Sequence, residues 1–277
     1  MTDADAVKQK ITWVFDTVAT GYDHPALRFF PFCADTMINY LRPRPGSRVL
    51  DVATGTGAIA VAAGQVIGPQ GRVQAIDLSE QMLARAQQNV TKMALKNVDF
   101  HVMDAEQLEF RHDYFDYVLC SFGLFFLPDM QAAVNSWMRV LKPEGKILFS
   151  IFQPQALEPM AEMFRSRIGA YGVNIESTAW KRLTESSQCQ ELLAQAGAED
   201  IEVVQKQLGH HLNDAQDWWA VLWNSGFRGF LEQLGEQDRQ RFQQEHLDEV
   251  AALAGDKGIW MDVGVHLASA RKPGRNS

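Results

Sequence analysis

From Arg48 onward the chain alternates short apolar runs with amphipathic ones. Arg48–Ala53, Arg72–Asp77, Val98–Met103, Phe115–Ser121 and Gly145–Phe152 are rich in Val, Ile, Leu and Phe and have strand length. Between them, Gly57–Val66, Ser79–Met93 and Asp129–Leu141 read as helices. Ser79 and Asp129 stand where N-caps belong, and Glu80 falls in a first turn. Pro143 and Gly145 form the turn into the fifth run. Strands alternating with helices of this length predict βαβ units. The expected fold is therefore α/β, Rossmann-like and doubly wound, with a mostly parallel sheet and right-handed crossovers.

The flanks follow another rhythm. Ala4–Val18 predicts a helix, Gly21–Pro25 a turn, and a second helix leads to the RPRPGS break at Arg42–Ser47. After Pro154 helical patterns dominate: Ala156–Tyr171, Ser187–Ala196 ended by Gly197, Ala215–Asn224 and Glu236–Leu253. Two strand-like runs, Ile201–Leu208 and Val263–Ala270, are expected at the sheet edge, giving a seven-stranded sheet. The chain is thus expected to divide into N-terminal helices closing over a site (1–47), a ligand-binding core (48–155), and a helical lid plus two final strands (156–277).

The 277 residues are 46% hydrophobic and 22% charged, enough apolar material for a sizeable core. The net charge of −8 argues against a nucleic-acid partner held through phosphates. Cys33, Cys120 and Cys189 are far apart with no C-x-x-C pair, as free thiols in a reducing compartment are. The N-terminus MTDADAVKQK lacks the apolar run of a signal peptide, and no stretch approaches the roughly 20 apolar residues that span a bilayer. The expectation is a cytoplasmic protein without a membrane span. No His/Cys/Asp grouping has metal-ligand spacing, so no metal is expected.

The segment VLDVATGTGAIA, Val49–Ala60, carries the chemistry. Gly55, Gly57 and Ala60 fit G-x-G-x-x-G/A between a strand and a helix, and Asp77 ends the next strand. That is a nucleotide fingerprint: glycines permit close backbone approach, and the acid takes ribose hydroxyls. Asp51, four residues before Gly55, narrows the choice. A carboxylate there repels a dinucleotide's pyrophosphate, which disfavours an NAD-type oxidoreductase, and attracts the ammonium and sulfonium of S-adenosylmethionine. About 47 residues also precede the first strand, more than a dinucleotide domain often has. Asp104 ends the third strand, beside the place of an adenine edge. Each of the three acids also suits a cap or turn; together they line one lip of the sheet.

These residues resemble the class I S-adenosylmethionine-dependent methyltransferases. The marks are VFDTVATGYD (Val14–Asp23), LDVATGTG (Leu50–Gly57), AIDLSEQML (Ala75–Leu83), MDAEQLEF (Met103–Phe110), FDYVLCSFGLFFLPD (Phe115–Asp129) and RVLKPEGKIL (Arg139–Leu148). The ubiquinone/menaquinone biosynthesis C-methyltransferase type shares the opening segment and S-F-G-L. The resemblance covers about Val14 to Gln153. It implies that Asp51, Ala53, Gly55 and Gly57 hold the methionine portion, that Asp77 binds ribose, and that Leu78 and Met82 line the adenosine. It further implies Asp104 and Ala105 at adenine, Ser121 and Phe122 at the methionine end, and Tyr22 closing over the cofactor. After about Pro154 the sequence departs from the quinone branch. A quinone-pathway C-methyltransferase and a non-catalytic cofactor-binding protein remain alternatives to a methyltransferase for another small molecule.

Phe122, Phe125 and Phe126 crowd the end of the fourth strand, and the lid adds Trp180, Trp218, Trp219, Trp223, Phe227 and Phe230. Such walls suit an apolar or aromatic methyl acceptor, with Phe125, Phe126 and Trp219 as candidate contacts. The i, i+4 spacing of Trp219 and Trp223 equally suits a packing stripe. His24, beside Tyr22, is a candidate base, and His211, after the sixth strand, a candidate substrate contact; each equally suits a cap or a surface position. Methyl transfer needs little acid–base machinery, because the sulfonium already makes the methyl electrophilic.

Overall fold

The computed structural model describes residues 3–175 and 179–274. Nine strands lie among them: β1 (Arg48–Val52), β2 (Arg72–Asp77), β3 (Val98–Val102), β4 (Phe115–Ser121), β5 (Leu141–Phe152), β6 (Glu199–Gln207), β7 (His210–Leu212), β8 (Ile259–Met261) and β9 (Gly264–Arg271). Seven form one sheet in the order β3-β2-β1-β4-β5-β9-β6. The first five are mutually parallel, and β9 runs antiparallel between β5 and β6. In β1 every residue after Arg48 is buried, as a parallel strand covered on both faces requires.

The helices are α1 (Asp3–Val18), α2 (Phe29–Leu41), α3 (Ala58–Ile67), α4 (Glu80–Lys92), α5 (Met130–Val140), α6 (Met160–Ala170), α7 (Ser186–Gln195), α8 (Ala215–Trp223), the single turn α9 (Arg228–Leu231), and α10 (Glu236–Ala251). Their starts have local causes. The Ser79 hydroxyl accepts from the Met82 N–H at 3.0 Å, and Asp129 accepts from the Ala132 N–H at 2.9 Å. Gly57 opens α3 at φ +86°; a Cβ there would also stand 3.1 Å from Ala86 Cβ of α4, so a side chain would press the two helices apart by a few tenths of an ångström.

The C-terminal helices form a unit of their own, in which α10 packs on α6 and α8, and α9 touches α1. At its centre Trp218 Nε1 donates to His246 Nε2 at 2.9 Å, with Phe164 and Phe242 against the imidazole. Among the described residues no helix is long and apolar enough to cross a membrane.

Candidate active site

The strand ends deliver the acids to one lip. Asp51 is 1% exposed; its Oδ2 accepts from Thr54 Oγ1 at 2.5 Å, and its Oδ1 has no partner. Burial raises its carboxyl to about 7, against the Thr54 hydroxyl and the Ala60 N–H and with help from the Asp77 charge. Beyond Asp51 the backbone turns through Ala53 at φ +52°, a costly conformation for a residue with a Cβ. Asp77 uses both oxygens to shape the loop, accepting from the Gly55 and Ser79 N–H groups at 2.9 Å each. Burial raises its carboxyl as well. Asp104 pairs with Lys8 at 2.6 Å and accepts from the Glu106 N–H. Lys8 also pairs with Glu106.

Helix α1 lies across this lip with two faces. The polar face carries Lys8 and Asp16. Asp16 Oδ1 accepts from the Ser79 hydroxyl at 2.6 Å, tying α1 to the start of α4. This face and Leu78 bound a groove of about 560 Å³. The apolar face, with Val7, Ile11, Val14 and Phe15, borders a separate chamber of about 700 Å³. Phe29, Phe30, Phe122, Phe125, Phe126, Phe152 and Trp180 supply its middle, and Val221 to Phe230 its far wall. Tyr22 joins the two regions: a side chain on Gly55 would meet its ring at 3.8 Å, and the ring stacks on Phe30 at 4.8 Å. Burial, then the charges of Asp77 and Asp23, push its hydroxyl far above the ordinary tyrosine value, so it stays protonated. Phe122, at φ +54°, turns from β4 and stacks on Phe152 at 4.3 Å. Phe126 meets Phe15 edge-on at 5.1 Å.

The structure brings Tyr22, Asp51, Ala53, Gly55, Gly57, Asp77, Leu78, Met82, Asp104 and Ala105 to the lip or directly beneath it, and Phe122, Phe125 and Phe126 to the chamber. Met82 is buried against Val18 and Ala19, and the Ala105 carbonyl accepts from Trp137 Nε1.

Ser121, expected at the methionine end, has its hydroxyl 3.2 Å from that of Ser150, next to the Cys33 thiol of α2. Three expectations need correction. His24 caps the turn Pro25–Leu27, its Nδ1 accepting from the Ala26 N–H, and does not line the chamber. His211 lies exposed in a separate two-stranded ribbon of β7 and β8, edge-on to Trp260. Trp219 stacks on Trp223 at 5.8 Å and packs near Phe242, away from the chamber, so the stripe spacing marks packing. Sequence reasoning missed the apolar face of α1, whose signal is the spacing of Val7, Ile11, Val14 and Phe15.

The sequence model of the ubiE/COQ5 methyltransferase family matches residues 2–201. The chain belongs to the ubiE/COQ5 methyltransferase family. It is 34% identical over 143 residues to aklanonic acid methyltransferase DauC of Streptomyces sp. (strain C5), covering 52% of this chain and 65% of that one. It is 30% identical over 202 residues to the ubiquinone/menaquinone biosynthesis C-methyltransferase UbiE of Proteus mirabilis (strain HI4320), covering 66% and 78%. In fold it is similar to YcgJ from Bacillus subtilis, with TM-score 0.60, 21% identity and 87% and 98% covered. It is also similar to Haemonchus contortus phosphoethanolamine N-methyltransferase 2 in complex with S-adenosyl-L-methionine, with TM-score 0.58, 22% identity and 93% and 57% covered. As a member of this family the methyltransferase uses S-adenosylmethionine. The site fits that cofactor: the unpartnered, buried Asp51 Oδ1 suits an ammonium, and the glycine loop allows close backbone approach.

Proposed function

We propose that this methyltransferase acts on a small acceptor with an apolar, ring-bearing body, held in the chamber between α1 and the α8–α9 turn. The single observation that carries this is the chamber: about 700 Å³, walled by aromatic rings and bordered by the apolar face of α1. Asp3 and Lys10, its charged members on α1, are solvent-exposed. Arg182 is engaged elsewhere, donating to the carbonyls of Phe125, Leu127 and Pro128.

The residues divide the work. Asp51 holds the cofactor's ammonium, Gly55 and Gly57 admit its methionine end, and Ala53 turns the chain there. Asp77 offers its free lone pairs to the ribose. Leu78 and Met82 face the adenosine, and Asp104 with Ala105 meets the adenine edge once Lys8 moves aside. Tyr22 and Phe122 form the wall between cofactor and chamber. S-adenosylmethionine, when bound, supplies an electrophilic methyl on a sulfonium. The chain's part is alignment and exclusion of water by the aromatic wall. Residues 1–47 then act as cover, 48–155 as cofactor core, and 156–277 as the far wall and last strands.

Among the described residues the chamber contains no histidine, and Tyr22 keeps its proton. An acceptor that brings its own acidity, as a phenol, a thiol or a carbon between two carbonyls does, suits that lining. A second reading, methylation of a quinone-pathway ring carbon, is favoured by the UbiE likeness. Against it, the wall from Val221 to Phe230 lies beyond the family-matched residues 2–201.

The test supplies methyl-labelled S-adenosylmethionine with 1-naphthol, naphthalene-2-thiol, 2-acetyl-1-tetralone, and sulfonated analogues of each. Label is expected in solvent-extractable products of unsulfonated acceptors only. Transfer confined to the sulfonated set would overturn the apolar assignment.

A further inference from the structure

Two hydrogen-bond donors on residues of the chamber wall have no partner. Trp180 Nε1 and Ser225 Oγ are buried, their residues 7% and 8% exposed, and neither finds an acceptor among the described residues. Other buried donors of the same kinds are satisfied. Trp137 Nε1 donates to the Ala105 carbonyl at 2.8 Å, Trp218 Nε1 donates to His246, and the Ser79 hydroxyl is paired with Asp16. A buried donor left unmade is costly, and such groups in a native fold call for an explanation. A ligand that carries an acceptor atom supplies one.

The two donors sit on different elements. Trp180 lies in the short helical turn Ala179–Arg182, its ring edge-on to Phe152 at 5.8 Å and covered by the Lys181 ammonium at 4.2 Å. These contacts restrain the ring plane. Ser225 lies in the turn between α8 and α9, where its carbonyl accepts from the Arg228 N–H at 3.0 Å. Its backbone is held while its hydroxyl swings about a single bond. The neighbours of Ser225 tie it to the cofactor side. Asn224 fills the space where a Cβ on Gly21 would be, next to Tyr22, and Gly226 lies against the Phe126 ring.

We propose that Trp180 and Ser225 are specificity-determining donors: each gives a hydrogen bond to an oxygen on the otherwise apolar methyl acceptor, and so turns it within the chamber. The assignment rests on the chamber being the acceptor site. Rings alone hold a flat apolar molecule in many orientations, whereas a ring N–H held in place and a hydroxyl that turns toward the same oxygen select one. A site built to hydrogen-bond an oxygen also rejects the analogue lacking it, because its own polar groups then stay unpaired. The required ligand feature is a carbonyl or other acceptor oxygen on a ring.

The test measures binding by calorimetry with S-adenosylhomocysteine saturating. The probes are 1-tetralone and its hydrocarbon counterpart tetralin, which differ in one carbonyl oxygen. The wild-type protein is expected to bind 1-tetralone at least about tenfold more tightly than tetralin. Trp180→Phe keeps an aromatic ring and removes the donor, and Ser225→Ala removes the hydroxyl. Each of the two should cut that preference by about three- to tenfold while the tetralin affinity stays within about twofold. Retained tetralin affinity shows that the chamber of a variant is intact; if one variant loses it, the other carries the decision. If tetralin binds and the carbonyl brings no gain, or if the gain survives in either variant, the two donors do not act as proposed although the chamber stands. If neither probe binds the wild-type protein, the chamber is not the acceptor site and the donors fall with it.

Discussion

Asp51 gives the most direct handle on the cofactor lip. Its carboxyl is 1% exposed, one oxygen is unpartnered, and burial lifts it from the ordinary 3.8 to about 7. That difference corresponds to about 4 kcal/mol against charging the group in the ligand-free protein. The sign for stability follows. The folded chain holds this proton more tightly than the unfolded one, so stability falls as pH rises from about 4 to about 7, and the full cost remains above that. An ammonium beside Asp51 reverses the balance by favouring the carboxylate. Below about 7, binding must expel the proton, so affinity should weaken by up to about tenfold per pH unit. Calorimetry with S-adenosylhomocysteine from pH 5.5 to 8, in buffers of different ionisation enthalpy, measures both affinity and proton count. The wild-type protein should release up to about one proton at pH 6 and almost none at pH 8. Asp51→Asn should flatten the pH profile and lower affinity at pH 8 by about ten- to a hundredfold, from the loss of a charge-assisted hydrogen bond. Without ligand the same variant should melt no lower than wild type at pH 8, because the charging cost is gone. A flat wild-type profile, or one shared with Asp51→Asn, would refute both the buried carboxyl and its ammonium.

The Lys8–Asp104 pair is partly buried, and on the proposed assignment it must open before adenine reaches Asp104. Lys8→Met should speed S-adenosylhomocysteine association in stopped-flow fluorescence by about two- to fivefold, as a pair worth about 0.5–1 kcal/mol allows; an unchanged rate takes the pair off the entry path. His246 is buried beneath Phe164 and Phe242, and burial lowers it to about 4, with Glu249 opposing and Arg167 assisting. The unfolded chain then binds the extra proton, so stability should be complete above about 6.5 and fall toward pH 4, by up to about 3 kcal/mol. Denaturant unfolding of wild type and His246→Phe across that range checks it: the slope should shrink in the variant, and an equal slope assigns the acid sensitivity elsewhere.

The cofactor half was legible because its signals are local. A parallel strand buried on both faces writes an uninterrupted apolar run, as in Val49–Val52, and the acids and glycines that follow sit within a few residues of it. The ribbon of β7 and β8 was not legible, since strands of three residues carry no readable period. The strand-like run Ile201–Leu208 is expected to stop before Gly209, and β6 ends at Gln207. A Cβ on Gly209 would stand 2.6 Å from the Trp260 ring and 2.7 Å from the Met261 carbonyl, and the residues that follow pair with β8 and not with the large sheet. Trp218 and Trp219 are equally apolar in the sequence; only the neighbours on α6 and α10 decide that the first is fully buried and that both serve packing.

The acceptor half was hidden for a different reason. Its wall includes Val7 to Phe15, Phe122 to Phe126 and Ser225 to Phe230, which are separated by roughly a hundred residues each, with Phe29, Phe30, Phe152 and Trp180 between them. No motif spans such distances. The amphipathic pattern of α1 predicts a helix with one apolar face, but not what that face meets. That is set by the rotation of the helix on the sheet, which Asp16–Ser79 and Lys8–Asp104 fix across 63 and 96 residues. Those same polar contacts lie at the cofactor lip. One rigid helix therefore serves both halves: the face that reads acids at the strand ends orients the face that walls the chamber. Any movement of α1 that frees Asp104 for adenine must also shift Val7, Ile11, Val14 and Phe15.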